Sequence, residues 1–253
     1  MRQNLAKQRL LKGEALVNGW CAIPAAFAAE TMAHQGWDTL TVDLQHGLVD
    51  YQVATTMLQA ISTTAVTPMV RVPWLEPGII MKCLDAGAYG IICPMISTAE
   101  QARRLVEYCL YPPKGQRSFG PIRQLLYGGP DYFDGANDAL LIFAMIETRQ
   151  GLDNLEEIAA VPGLSGLYVG PSDLSISLGY PPGFDRTEPA MLAEIGRIAA
   201  AARAHGLVAG LHCGAPAYAR RAVAEQGFRL ITLGSDARMI AAQSKALLAE
   251  MRA

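Results

Sequence analysis

Glu147 and Asp173 are each the first acid after a run of β-forming apolar residues, the first closing ALLIFAMIE (139–147) and the second following SGLYVG (165–170) in the turn GPSDL. Carboxylates are hard oxygen donors. Two of them emerging side by side from neighbouring strands can hold a divalent cation such as Mg²⁺ or Mn²⁺ and leave positions for water and a chelating substrate. The competing reading is that each acid caps the helix after it, because carboxylates favour helix N-termini. Other reactive groups stand at matching places: Asp43, Gln45 and His46 at the end of DTLTVDL, Arg71 in TPMVRV, Ser172 beside Asp173, and His212 and Cys213 after LVAGL. An arginine pairs bidentately with carboxylates and never loses its charge, so Arg71 suits a 2-oxo acid or a developing enolate. An ion pair with Asp43 or Glu147 competes with that role. Replacing Arg71 by alanine is expected to remove activity and leave the fold intact. Histidine is the side chain whose ordinary pKa lies nearest neutrality, so His46 can serve as a general base. The amides of Ser172 and Asp173 open a helix and can receive a carboxylate or phosphate, or the two side chains can simply cap it. His34 and His205 precede glycines at helix ends and read as structural.

These groups need a frame that brings strand ends together. Eight β-rich runs alternate with helical patterns: 15–23, 38–44, 67–72, 89–95, 139–147, 165–170, 207–212 and 228–234. Most are continuously apolar, as parallel strands buried on both faces require. Glycines 36, 87, 206 and 227 close helices before the next strand. Eight βα units in 253 residues predict one (β/α)8 TIM barrel spanning 1–253, with its chemistry at the C-terminal ends of the strands. A doubly wound open sheet is the alternative, weakened because no GxGxxG follows the first strand. One connection, 111–138, is long and rich in Gly, Pro, aromatics and arginine; it reads as a loop on the side opposite the mouth, either a subunit contact or a plain excursion.

Bulk properties exclude several classes. A formal charge of −2 and a pI near 6.1 give no case for nucleic acid or an anionic membrane. Five scattered cysteines without a CxxC predict reduced thiols. The N-terminus lacks the apolar core of a signal peptide, and no apolar run reaches the roughly 20 residues of a membrane span; a soluble cytoplasmic protein is expected. None of the five lysines, 7, 12, 82, 114 and 245, falls in an expected strand, which argues against a Schiff-base aldolase.

The segments WDTLTVDLQHG, MVRVP, LDAGAYGIICPMISTAEQA, YPPKGQRSFGP, MIETRQGLDNLEEIAAVPGLSGLYVGPSDLSISLGY and LGSD resemble the HpcH/HpaI aldolase family, metal-dependent class II pyruvate aldolases, over nearly the whole chain. The resemblance implies that Glu147 and Asp173 hold the metal, Mg²⁺ or Mn²⁺ first and Co²⁺ or Zn²⁺ as further candidates. It implies that Arg71 contacts the keto or enolate oxygen and that the turn at Gly170, Ser172 and Asp173 takes the pyruvate carboxylate. His46, oriented by Asp43 and Asp85, is implied as the acid/base group. A swapped C-terminal helix in a dimer, a hexamer built as a trimer of dimers, and a long loop carrying Arg117 and Arg123 to a neighbouring subunit's site are implied as well. Two positions depart from the family's common pattern: Gln45 where many members have Glu, and Met145 where many have Gln. The expected reaction is reversible cleavage of a 4-hydroxy-2-oxo acid to pyruvate and an aldehyde. A citramalyl- or malyl-thioester lyase and a catalytically silent 2-oxo acid binder are the alternatives.

Overall fold

The computed structural model describes residues 1–253. The eight apolar runs form β1 (Leu16–Cys21), β2 (Thr39–Asp43), β3 (Thr67–Arg71), β4 (Gly90–Cys93), β5 (Leu141–Ile146), β6 (Gly166–Val169), β7 (Val208–Cys213) and β8 (Leu230–Leu233). Each pairs in parallel with the next, and β1 returns to β8 with Leu16 beside Leu230, so the sheet closes. Helices follow the strands and cover the outside, as a TIM barrel requires. Two apolar layers result. One lies between sheet and helices, with Val42, Val70, Ile91, Ala144 and Val169 facing outward onto them. The other fills the barrel with Leu16, Trp20, Met69, Ile92, Phe143, Met145, Tyr168 and Leu230.

A polar girdle crosses the inner layer. The buried Asn18 amide shares hydrogen bonds with the hydroxyls of Thr39, Thr41 and Thr232, and the Tyr168 hydroxyl reaches Thr232 at 2.5 Å. Mutual satisfaction makes these buried groups tolerable. Below the girdle the barrel is stoppered by a short N-terminal helix, Leu5–Leu11, which sends Ala6 and Leu10 into the inner layer. Asn4 fixes it: its side-chain oxygen accepts from the Lys7 amide, and its NH₂ donates to the carbonyls of Tyr89 and Ala139 at 3.1 and 2.7 Å.

Two segments differ from the expectations. The N-terminal stopper was not foreseen, its charges masking a single apolar stripe. The connection after β4 is not one loop but carries helices Ile122–Gly128 and Tyr132–Ala139. It is nailed down by Arg117, whose buried guanidinium donates to Asp85 at 2.6 Å and Tyr132 at 3.1 Å and lies over the Tyr111 ring. The last helix, Asp236–Met251, stands clear of the barrel: Asp236 is its one buried residue, and Ile240, Leu247, Leu248 and Met251 are exposed.

Candidate active site

Register builds the first half of the site. Asp43 and Arg71 are direct neighbours across β2 and β3. Their side chains lock bidentately, Nε to Oδ1 at 2.8 Å and an outer nitrogen to Oδ2 at 2.7 Å, both groups buried. Burial pushes the Asp43 carboxyl upward, but Arg71, together with Trp20 and the Gln45 amide, outweighs it and holds the group below its usual value. The same carboxylate accepts from the backbone amides of Gln45 and His46 at 3.1 and 3.3 Å, folding the turn after β2. Gly47 completes that turn, since a Cβ there would lie 2.2 Å from the Asp43 carbonyl oxygen.

The second half comes from β5 and β6. Met145 pairs with Tyr168 and Ile146 with Val169, so Glu147 emerges opposite Gly170. The carboxylate lies so close to that backbone that a Cβ on Gly170 would sit 2.1 Å from Oε2. Glu147 does not cap its own helix; Thr148 does, accepting from the Gly151 amide. Instead Oε1 accepts from the Met95 amide at 2.7 Å. Met95 holds a φ of 58°, a costly backbone state for a residue with a side chain, to aim that amide. Burial pushes the Glu147 carboxyl up to about 7; the Met95 amide and Arg71 oppose this, while Asp173 adds to it. Asp173 is exposed, in the first turn of the helix Pro171–Ser177.

Both halves open into one cavity of about 340 Å³ at the C-terminal ends of the strands. It gathers Asp43, His46, Arg71, Glu147, Gly170, Ser172, Asp173 and His212, all anticipated from sequence. It also exposes Trp20, Phe184, Ser235 and Arg238, which were not anticipated. Trp20 and Ser235 follow the same strand-end rule, on β1 and after β8, where no charged side chain drew attention. Arg71 lies 4.8 Å from the Trp20 ring. His212 is enclosed by Trp20 on one side and Phe184 on the other, and burial pushes it down to about 3, with Arg71 and Arg238 adding to that and Asp43 opposing it.

Three expected site residues lie elsewhere in the chain. Asp85 ends the helix Pro77–Asp85, on the far side of the barrel from the mouth, and its carboxylate is taken by Arg117. It therefore does not orient His46 within the subunit, and Asp43 holds the His46 backbone rather than its ring. Arg117 and Arg123 point inward to their own chain, Arg123 donating to the Ser62 hydroxyl at 2.9 Å and to the Ala86 carbonyl. Both anchor the long connection, because a buried guanidinium must find acceptors. Cys213 is buried and does not line the cavity; all five cysteines are free and buried.

The donor set suits a hard cation. Glu147 is buried with one neutral hydrogen-bond donor and a second acid nearby, and the adjacent arginine is already committed to Asp43. Two carboxylates short of positive charge have the donor chemistry of a hard divalent-cation site.

The chain has known relatives. The profile of the HpcH/HpaI aldolase/citrate lyase family matches residues 20–242. The chain belongs to that family. It is 38% identical over 242 residues to a hydroxypyruvate/pyruvate aldolase of Rhizorhabdus wittichii, covering 96% of each chain. It is 38% identical over 211 residues to the 2-keto-3-deoxy-L-rhamnonate aldolase of Escherichia coli, covering 81% of this chain and 79% of that one. A crystal structure of a family member from Burkholderia cenocepacia superposes with a TM-score of 0.92 at 34% identity, over 99% of this chain and 100% of the other. Members of this HpcH/HpaI group with aldolase names make the protein a carbon–carbon lyase acting on small molecules. No helix is long and apolar enough to cross a membrane.

Proposed function

We propose that this HpcH/HpaI protein is a class II aldolase that reversibly cleaves a 4-hydroxy-2-oxo acid to pyruvate and an aldehyde. The observation that carries the reading is the buried Glu147 carboxylate facing Asp173 across one cavity from Arg71. Glu147 and Asp173 hold a divalent cation, Mg²⁺ or Mn²⁺ by donor type. When bound, the cation supplies Lewis-acid charge beside the 2-oxo group.

The rest is done by the chain. Arg71, immobilised by Asp43, keeps its remaining N–H donors for the oxygen on which enolate charge develops, and pre-set donors stabilise that charge without reorganising. The turn at Gly170, Ser172 and Asp173 presents helix-start amides to the pyruvate carboxylate. His46, exposed at the rim of the same cavity, moves the proton between the substrate hydroxyl and water. A panel of 4-hydroxy-2-oxo acids, assayed for pyruvate release before and after EDTA and with Mg²⁺ or Mn²⁺ restored, tests this. Turnover unaffected by thorough chelation, or inactivation by borohydride in the presence of pyruvate, would count against it.

The reading extends to assembly. The place beside β8 and β1 where a barrel's last helix normally packs is an apolar groove of about 290 Å³, lined by Val17, Pro216, Ala219, Val223, Ile231 and Leu233 among others. The helix Asp236–Met251 leaves it bare and carries an exposed apolar stripe of its own. Exchange of that helix between two copies covers both surfaces, supporting a swapped dimer as the unit of a hexamer. Sedimentation of the intact chain tests it; a monomer at micromolar concentration contradicts it.

A further inference from the structure

A second cavity lies at the pole of the barrel opposite the mouth. It holds about 300 Å³ at the N-terminal ends of β5, β6 and β7, beside the helix Leu5–Leu11. Its walls are largely aliphatic, with Leu10, Leu110, Leu140, Ile142, Leu164 and Val208 among them. Two ammonium groups, Lys7 and Lys114, and one carboxylate, Asp138, are its only charges.

The polar side chains of this lining are committed to one another or to backbone, with one exception. Asn137 accepts from the Tyr111 amide at 2.7 Å and donates to its carbonyl at 3.0 Å. Ser165 accepts from the Ile142 amide at 2.9 Å. Lys114 donates to Asp138 at 2.8 Å, and both are exposed. Lys7 is the exception. It is half-buried, belongs to none of the ion pairs, and donates to the Leu140 carbonyl alone, at 2.8 Å. An ammonium carries three donors, so two stay unused. Burial pushes this group down from its ordinary pKa; Asp138 opposes that and Lys114 adds to it. An amine drawn partly out of water without a counter-ion is costly, and the cavity beside it leaves room for one.

Charge and wall together define the anion. Two lysines against one aspartate leave a single positive charge, which suits a monoanion. No arginine lines the cavity to fork onto a phosphate, and aliphatic walls call for an apolar body behind the charge. We infer that this cavity is a second ligand site, taking a monocarboxylic acid with an aliphatic tail, its carboxylate on the Lys7 ammonium. The site uses none of the groups at the mouth, so it stands apart from the aldolase reading.

Calorimetric titration of the intact chain with butanoate, hexanoate and octanoate, with pyruvate and Mg²⁺ in excess to keep the mouth filled, tests it. Affinity is expected to rise about fourfold with each added methylene, as apolar surface leaves water. Hexanamide is expected to bind at least about tenfold more weakly than hexanoate, for want of the charge-assisted contact, and hexylammonium not at all. Lys7→Met is expected to abolish the advantage of acid over amide. Leu11 is exposed at the cavity's edge, so Leu11→Glu sets a repelling carboxylate there without entering the core; it is expected to weaken hexanoate and spare hexanamide. Absence of binding by all three acids, affinity indifferent to tail length, or an acid-to-amide ratio unchanged in either folded variant overturns the inference.

Discussion

The Asp43–Arg71 pair ties activity to stability more tightly than the sequence implies. Alanine at Arg71 strands a buried carboxylate, and breaking a buried pair from one side costs about 3–5 kcal/mol. Arg71→Ala is thus expected to lower the thermal midpoint as well as abolish turnover, which corrects the expectation of an intact, merely inactive protein. The double variant Asp43→Leu/Arg71→Met is expected to regain most of the stability and none of the activity; calorimetry beside a pyruvate assay decides. His212 makes a second residue-scale prediction. Its folded pKa of about 3 lies below the ordinary 6.5, so the unfolded chain binds the extra proton between those values. The contribution is full above about 6.5 and shrinks as pH falls toward 3. Urea midpoints of the wild type, measured relative to His212→Asn, are expected to decline over that window; a flat difference would mean that His212 titrates normally.

At the scale of elements, the turn after β6 is shaped by what β5 presents to it. Gly170→Ala places a Cβ 2.1 Å from Glu147 Oε2, so the carboxylate must shift from its present place. Mg²⁺ or Mn²⁺ affinity is expected to fall at least about tenfold in calorimetric titration with little change in melting temperature; unaltered affinity would show that Glu147 is not held there. The β-strands were legible because parallel strands buried on both faces are written as unbroken apolar runs, ALLIFAMIE above all. Glu147, Asp173 and Arg71 were legible because a charge has little reason to end such a run otherwise. Helices Ile122–Gly128 and Tyr132–Ala139 were not, since each spans only about two turns and includes a glycine, and a distant ion pair, Asp85 to Arg117, fixes their place. That same pair drew Asp85 and Arg117 away from their expected roles. Trp20 reads as one more core aromatic and Arg238 as one more helix arginine; only closure of β8 onto β1 sets them at the mouth.

Across the whole molecule the last helix is the least supported element and so the most dependent on company. A chain ending after Asp236 is expected to lose the proposed swapped dimer in sedimentation and to bind a hydrophobic dye at the bared groove; a truncated chain that still assembles would assign the contact to another face. The stopper at the opposite pole has a kinetic meaning. With the helix Leu5–Leu11 packed beneath a barrel already filled by Leu16, Met69, Phe143 and Tyr168, the cavity opens at the C-terminal ends of the strands. On the proposed reaction, pyruvate would occupy the floor against buried Glu147 and Arg71, with the aldehyde between it and the exit. The two products must then leave in a queue, aldehyde first. Pyruvate should compete with the 4-hydroxy-2-oxo acid in product inhibition while the aldehyde does not, an order imposed by the closed, side-chain-filled barrel beneath the site.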